Sequence, residues 1–171
     1  MLGSCTRLGA IAAVCAGLFV TPALASAASP WMPFRAADFD LPAGSRCPFA
    51  LSGRVLQDRE RIRTLATFPD GSPSRQRVKG PLVVRYINDD SGASVVRDLT
   101  GDAFIDTRSN GSFTFTLKHG HLAVGLGAGD PGGPAFLVLS GRGFTVDFAV
   151  DGGRTVTPGR GSIENICQTL A

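Results

Sequence analysis

The sequence predicts an all-β fold, a single antiparallel β-barrel or β-sandwich of about ten short strands with the barrel narrowly preferred. Three observations carry this expectation. Apolar residues recur at period two in many short segments. The clearest is Ser112, Phe113, Thr114, Phe115, Thr116, Leu117, Lys118, where odd positions are apolar and even ones polar. Turn-forming residues separate these segments at intervals of roughly 7–12 residues. No window carries the 3.6-residue repeat of an amphipathic helix. The 22 glycines and 11 prolines fall at turns and not in tracts, so they punctuate strands and do not signal disorder.

In chain order the first element is a targeting segment, residues 1–27. Arg7 precedes an uncharged apolar run from 9 to 20, and Pro22 breaks that run. Ala23-Leu24-Ala25 and Ala25-Ser26-Ala27 each supply the small-x-small pattern that signal peptidases cut. The run is shorter than the roughly 20 residues a bilayer core needs, which favours export over an anchor. The mature chain is expected to start at Ser26 or Ala28, to be secreted, and to hold no membrane span. Residues 28–46 contain Pro30, Pro33 and Pro42 and no periodicity. They are expected to form an extended lead-in that Trp31, Phe34 and Phe39 dock onto the domain. The all-β domain then occupies residues 47–171.

Within it, 49–55 alternates with Phe49, Leu51 and Val55 on one side, and 61–68 makes a second strand. Asp70-Gly71-Ser72-Pro73 is a turn. Residues 75–80 read as a polar edge strand or loop, followed by strands at 81–87, 94–99 and 103–107. Asn110-Gly111 is the strongest hairpin signal and predicts a two-residue type I′ turn. Strands follow at 112–118 and 122–126, then a flexible loop at 127–134. Residues 136–140 are apolar throughout, as in a strand covered on both faces. Residues 144–150 are apolar at every even position, Asp151-Gly152-Gly153 turns the chain, and strands at 154–157 and 161–168 end it. The side chains expected to converge inside are Phe113, Phe115, Leu117, Phe144, Val146, Phe148 and Val150.

Of four cysteines, Cys5 and Cys15 leave with the leader. Cys47 and Cys167 remain, and an even pair in an exported chain predicts one disulfide. It would tie the first strand to the last, which is the ground for preferring a barrel, since sheet edges must be paired or covered. Closing a loop of about 100 residues stabilises by roughly 4.7 kcal/mol in the chain-entropy picture. The formal net charge of +3 falls to +2 once Arg7 is removed. That balance argues against a nucleic-acid or membrane-surface partner.

Two basic stripes stand out. Arg59, Arg61 and Arg63 alternate, as do Arg75, Arg77 and Lys79, so each set shares one face of a strand. Such stripes would meet a phosphate, an acidic polysaccharide or another anionic partner, although solvated edge-strand charge is their commoner origin. His119 and His121 are the only histidines and, two apart on a strand, would face the same way. A metal site needs a third ligand that the sequence does not supply beside them, so no metal and no cofactor are expected. Residues 125–129 imitate part of a dinucleotide fingerprint, but Asp130-Pro131-Gly132-Gly133-Pro134 cannot begin the helix that would hold a pyrophosphate. There is no Gly-x-Ser-x-Gly, and no catalytic residue is assigned.

Cys47-Pro48-Phe49, the 83–88 strand with Ser91-Gly92, Leu99-Thr100-Gly101, Asn110-Gly111-Ser112, and 161–167 ending in Cys167 together resemble small secreted β-rich proteins of actinobacteria. In that group a cysteine near each end brackets a strand-rich domain. The resemblance implies this architecture across residues 47–170 and carries no functional residues with it.

The resulting expectation is a secreted, disulfide-stapled β-domain acting as a binding or interaction module for an extracellular ligand or protein. Its contacts would lie on the 59–79 basic region and the 127–134 loop, since loops on rigid scaffolds commonly carry function. The alternative is a barrel holding a small apolar ligand, as a carrier or a cofactor-free isomerase or cyclase, with His119 inside. A hydrolase is a third reading and would need a serine or carboxylate beside His119 or His121.

Overall fold

The computed structural model describes residues 29–171, and the leader expected at 1–27 lies outside them. Two short strands of the lead-in come first, β1 (Met32–Pro33) and β2 (Phe39–Leu41). Three pairs of strands then follow one another with only one or two residues between members. They are β3 (Leu51–Asp58) and β4 (Arg61–Thr67), β5 (Pro73–Gly80) and β6 (Leu82–Asn88), β7 (Ser94–Asp98) and β8 (Gly101–Thr107). β9 (Phe113–Leu126) is a single long strand. β10 (Ala135–Arg142), β11 (Thr145–Phe148), β12 (Arg154–Thr157) and β13 (Arg160–Asn165) complete the sheets before a helical turn, α1 (Ile166–Thr169).

All pairing is antiparallel. One sheet runs β1-β4-β5-β8-β9-β10-β13, with β11 joining β9 to β12, and a second runs β2-β3-β6-β7. Among the described residues no ladder joins β1 to β13, so the larger sheet has two ends.

The register shows how one sheet becomes two. Val83 faces Asp98 and Gly80 faces Gly101, so β5–β6 and β7–β8 are two long strands in one continuous register. Likewise β10 and β11 keep one register against β9, from Ala135 opposite Leu126 to Thr145 opposite Thr116. Each of these hairpins bends at the same level. There the neighbours across five strands are Gly80, Gly101, Gly120, Gly141 and Gly161. Gly120 has φ +97, and a Cβ there would overlap the carbonyl oxygen of Thr100. A Cβ on Gly161 would overlap the carbonyl oxygen of Ser140. Backbones this close admit only glycine, and the line of them forms a crease. On one side of the crease β5, β8 and β9 form a continuous sheet. On the other, β7 and the second half of β9 part, and the sheet opens into two leaves.

Each leaf gap is filled by its own core. Between the leaves pack Leu51, Val84 and Tyr86 from the smaller sheet, Leu99 from the link between β7 and β8, Phe136 and Val138 from β10, and Ile166 from α1. Phe39 stacks on Phe136 with centroids 5.5 Å apart, its ring lying over Gly53. Inside the folded β9/β10–β11 hairpin, Leu117, Val124, Leu126, Leu139, Phe144 and Val146 form a second core. β10 is the wall between the two, with Phe136 and Val138 on one face and Ala135 and Leu139 on the other. Its unbroken apolar run has that cause.

The Cys47–Cys167 disulfide spans the mouth of the leaf gap, with Cα atoms 5.2 Å apart. Two further ties cross the same opening. Asn88 Nδ2 donates to the Leu170 carbonyl at 2.9 Å, and Arg97 grips Glu164 through both Nε (2.7 Å) and Nη2 (2.5 Å).

Several expectations are corrected. Thirteen strands appear among the described residues, because the lead-in adds two and the crease divides others. Residues 112–118 and 122–126 are one strand with a bend. The 75–80 segment is an interior strand paired on both sides, its charges facing out of the sheet. Asn110 does not take positive φ, since every positive φ belongs to glycine, so the hairpin is not type I′. Instead Gly111 alone has φ +89, Arg108 N–H reaches the Ser112 carbonyl, and Asn110 Oδ1 accepts from Ser112 N–H at 3.0 Å. Asp70-Gly71-Ser72 and Asp151-Gly152-Gly153 build the same turn. Val150 falls in the latter and is 69 % exposed, outside the core expected for it.

Candidate functional site

One strand position before the crease, the paired residues form a second row. Arg61 on β4 faces Lys79 on β5, Lys79 faces Asp102 on β8, and Asp102 faces His119 on β9. Gly120 faces Gly141, so Arg142 stands next in line beside His119, and Arg142 faces Arg160 on β13. Directly opposed residues of an antiparallel pair share a face. Six strands at about 4.8 Å each give a row about 24 Å long.

The basic stripes of the sequence are therefore brought together, but their members do different things. Arg63 lies opposite Arg77 and, with Lys79, sits over the Trp31 ring, each cation 4.7 Å from its centroid. Arg63 Nε is buried without a hydrogen-bond partner among the described residues. Arg77 is engaged by Asp102, Nε to Oδ1 at 2.8 Å and Nη2 to Oδ2. Arg75 is displaced by a bulge to face Ala66, pairs with Asp106 at 3.3 Å and covers Phe104. Arg59 sits in the β3–β4 turn, its N–H bonded to the Pro81 carbonyl. Arg61 and Lys79 make no ion pair among the described residues.

Asp102 is the row's single acid, and its side chain is 5 % exposed. Arg77 bonds it most closely, with Lys118 Nζ at 3.6 Å and His119 Nε2 at 3.5 Å. The hydrogen bonds from Arg77 hold its pKa below the usual carboxylate range. It neutralises from beneath and leaves the rim cationic.

At the far end, Lys118, Arg142 and Arg160 line an open groove of about 650 Å³ with Thr116, Pro158 and Gly159, and no acid lines it. Sequence reading passed over these arginines. Their signal is the triplet Gly-Arg-Gly, present at both 141–143 and 159–161.

His119 and His121 do not share a site. A bulge opposite Asp102 and the turned Gly120 place His119 outside, its side chain 71 % exposed, while His121 Nδ1 lies 2.9 Å from Ser140 Oγ. No cluster of three metal-capable side chains occurs among the described residues. The 127–134 loop, expected to be flexible, is pinned by Asp130. Its carboxylate accepts from Gly127 N–H at 2.6 Å and Arg154 N–H at 2.7 Å.

Beneath the crease lies a cavity of about 210 Å³, formed where β7 and β9 part. Phe34, Leu82, Leu99, Phe115 and Leu122 contribute apolar walls, and Glu60, Asp102 and His121 also line it. Glu60 N–H donates to Asp58 Oδ1 at 2.9 Å and its carbonyl accepts from Phe34 N–H. Its carboxyl group has no partner among the described residues. Burial first, and the charge of Asp58 second, push its pKa up to about 7. No helix of the described residues is long and apolar enough to cross a membrane.

No family model, curated protein or solved structure matches this chain.

Proposed function

We propose that the chain is an exported binding module that holds an acidic polysaccharide along the cationic row. The observation that carries this is the pairing of like charges across the sheet, Arg61 with Lys79 and Arg142 with Arg160. Like charges placed directly opposite destabilise a sheet, and an anionic chain laid across the strands offsets that cost. Trp31, at one end, holds Arg63 and Lys79 against its ring and so fixes Lys79 in the row. A near-neutral overall charge fits a local stripe better than the broad basic field of a nucleic-acid binder. Export rests on the leader pattern and on the single disulfide.

The continuous register supports a finer description of the architecture, a barrel-like wrap left open between β7 and β9. That geometry sets the row on the convex side of the crease.

The test is salt elution from immobilised polygalacturonate and dextran sulfate, with a single-stranded oligonucleotide in parallel. A variant carrying Arg61→Ser, Lys79→Ser, Arg142→Ser and Arg160→Ser should elute at much lower salt and with a shallower salt dependence, as fewer counterions are released. Arg85→Ser, an exposed cation off the row, should change little. Equal elution of wild type and the fourfold variant would sink the proposal. Preferential retention on the oligonucleotide would move the partner to nucleic acid.

A further inference from the structure

We infer that the cavity beneath the crease is a binding site for a small amine with an apolar body of about one aromatic ring. This inference is independent of the polysaccharide reading, since none of the row's cations lines the cavity and Asp102 is the one member of the row that does.

Size sets the first limit. A cavity of about 210 Å³ exceeds the roughly 150 Å³ that accommodates benzene in an engineered protein interior. It falls below the several hundred cubic ångströms typical of sites for larger ligands. The walls come from several parts of the fold: Phe34 from the lead-in, Leu82 from β6, Leu99 from the link between β7 and β8, Phe115 and Leu122 from the two halves of β9.

Charge sets the second limit. Glu60 is half-buried at this cavity and lacks an ion-pair or hydrogen-bond partner for its carboxyl among the described residues. A carboxylate in such a place is costly until a cation joins it. The surrounding charged groups do not fill that role. Asp58, on the same turn, is an acid whose own cation is Arg35 at 3.6 Å. Asp102 on β8 is turned to Arg77, and Lys79 on β5 sits over Trp31 on the outer face. Arg59 is exposed in the turn, and His121 on β9 is bonded to Ser140. An anionic ligand would meet Glu60 and Asp58 unfavourably, whereas an ammonium group supplies what Glu60 lacks.

The pKa of about 7 for Glu60 gives the site a pH signature. Binding of an ammonium requires the ionised carboxyl, so affinity should rise about tenfold from pH 6 to pH 8. The probe is benzylamine, titrated calorimetrically into the full exported chain, with benzyl alcohol and benzoate as neutral and anionic counterparts. Benzylamine should bind best at pH 8. Glu60→Gln should lose at least tenfold in affinity and flatten the pH profile, while His121→Gln should keep the profile. Ala123→Leu, which fills the cavity from β9, should abolish binding. Ala36→Leu does the same from the lead-in if the first variant misfolds. The fourfold row variant should bind benzylamine normally. Absence of benzylamine binding, benzoate binding as tightly as benzylamine, or full affinity in Glu60→Gln would each overturn the inference.

Discussion

The two faces of the crease treat charge in opposite ways. On the outer face Arg61, Lys79, Arg142 and Arg160 stand in water, where the repulsion between like charges a strand apart persists but is weakened as salt screens it. On the inner face the Glu60 carboxyl sits at the cavity wall without a partner among the described residues, and its ionisation is what the surroundings resist. Both faces are built on the same line of glycines. Exposure therefore decides whether a charge in this fold acts as a diffuse attractor or as a proton switch.

That comparison can be broken most severely at the crease itself. Gly120→Ala forces a side chain into φ +97 and into the Thr100 carbonyl. It should cost about 3 kcal/mol or more and degrade both faces together. A thermal melt showing wild-type stability would mean the crease is not required.

Next is Asp102→Asn, which removes the acid beneath the row. Its partner Arg77 is still 24 % exposed, so the loss should be about 1–3 kcal/mol, less than for a wholly buried pair. Because the folded pKa of Asp102 lies below its unfolded value, this stability is present above about pH 4. It is lost as pH falls through the folded value. Urea unfolding at pH 7 and at pH 3 should show the difference between wild type and variant shrinking at acid pH.

Glu60 has the opposite sign. Its folded pKa of about 7 lies above the ordinary glutamate value of 4.5, so its contribution is full below pH 4.5 and lost as pH rises to 7. Glu60→Gln should remove that slope. After allowance for its partial exposure it should be about 1 kcal/mol more stable than wild type at pH 8. The smallest effect belongs to Arg160→Ser. Relief of the Arg142 repulsion should raise stability by a few tenths of a kcal/mol at low salt, and nothing at high salt.

Periodicity made the strands legible. Phe113, Phe115 and Leu117 alternate, as do Phe144, Val146 and Phe148; all but Phe113 lie in or against the inner core, and Phe113 stacks on Phe148. Val150 continued the pattern but fell in a turn, because period two does not mark where pairing stops. The crease was hidden for a related reason. Gly80, Gly101, Gly120, Gly141 and Gly161 each resembled an ordinary turn residue, although they recur every 19–21 positions. Only register shows that they are neighbours. The histidines misled because the rule that residues two apart share a face assumes a regular strand, and here the left-handed Gly120 lies between them and a bulge immediately precedes His119. Register brought the 61–63 and 77–79 cations together as their alternation suggested. It also added Arg142 and Arg160, whose partners across the sheet no local pattern reveals. Glu60 gave no sequence signal at all, since an isolated glutamate at a strand junction is ordinary until its surroundings are known.

The position of the disulfide has a thermodynamic reading. Cys47–Cys167 lies at the core between the leaves and is remote from the core inside the folded β9/β10–β11 hairpin. With the bond closed, both cores should melt as one cooperative unit. Once it is reduced, the polar ties left across the opening among the described residues are those of Asn88 to Leu170 and Arg97 to Glu164. The leaf core then becomes a separate unit of lower free energy of opening. Native-state hydrogen exchange should show the amides of β3, β6 and β7 losing protection on reduction while those of β9 near Leu117 keep it. In that sense one covalent bond sets the number of cooperative units the domain has.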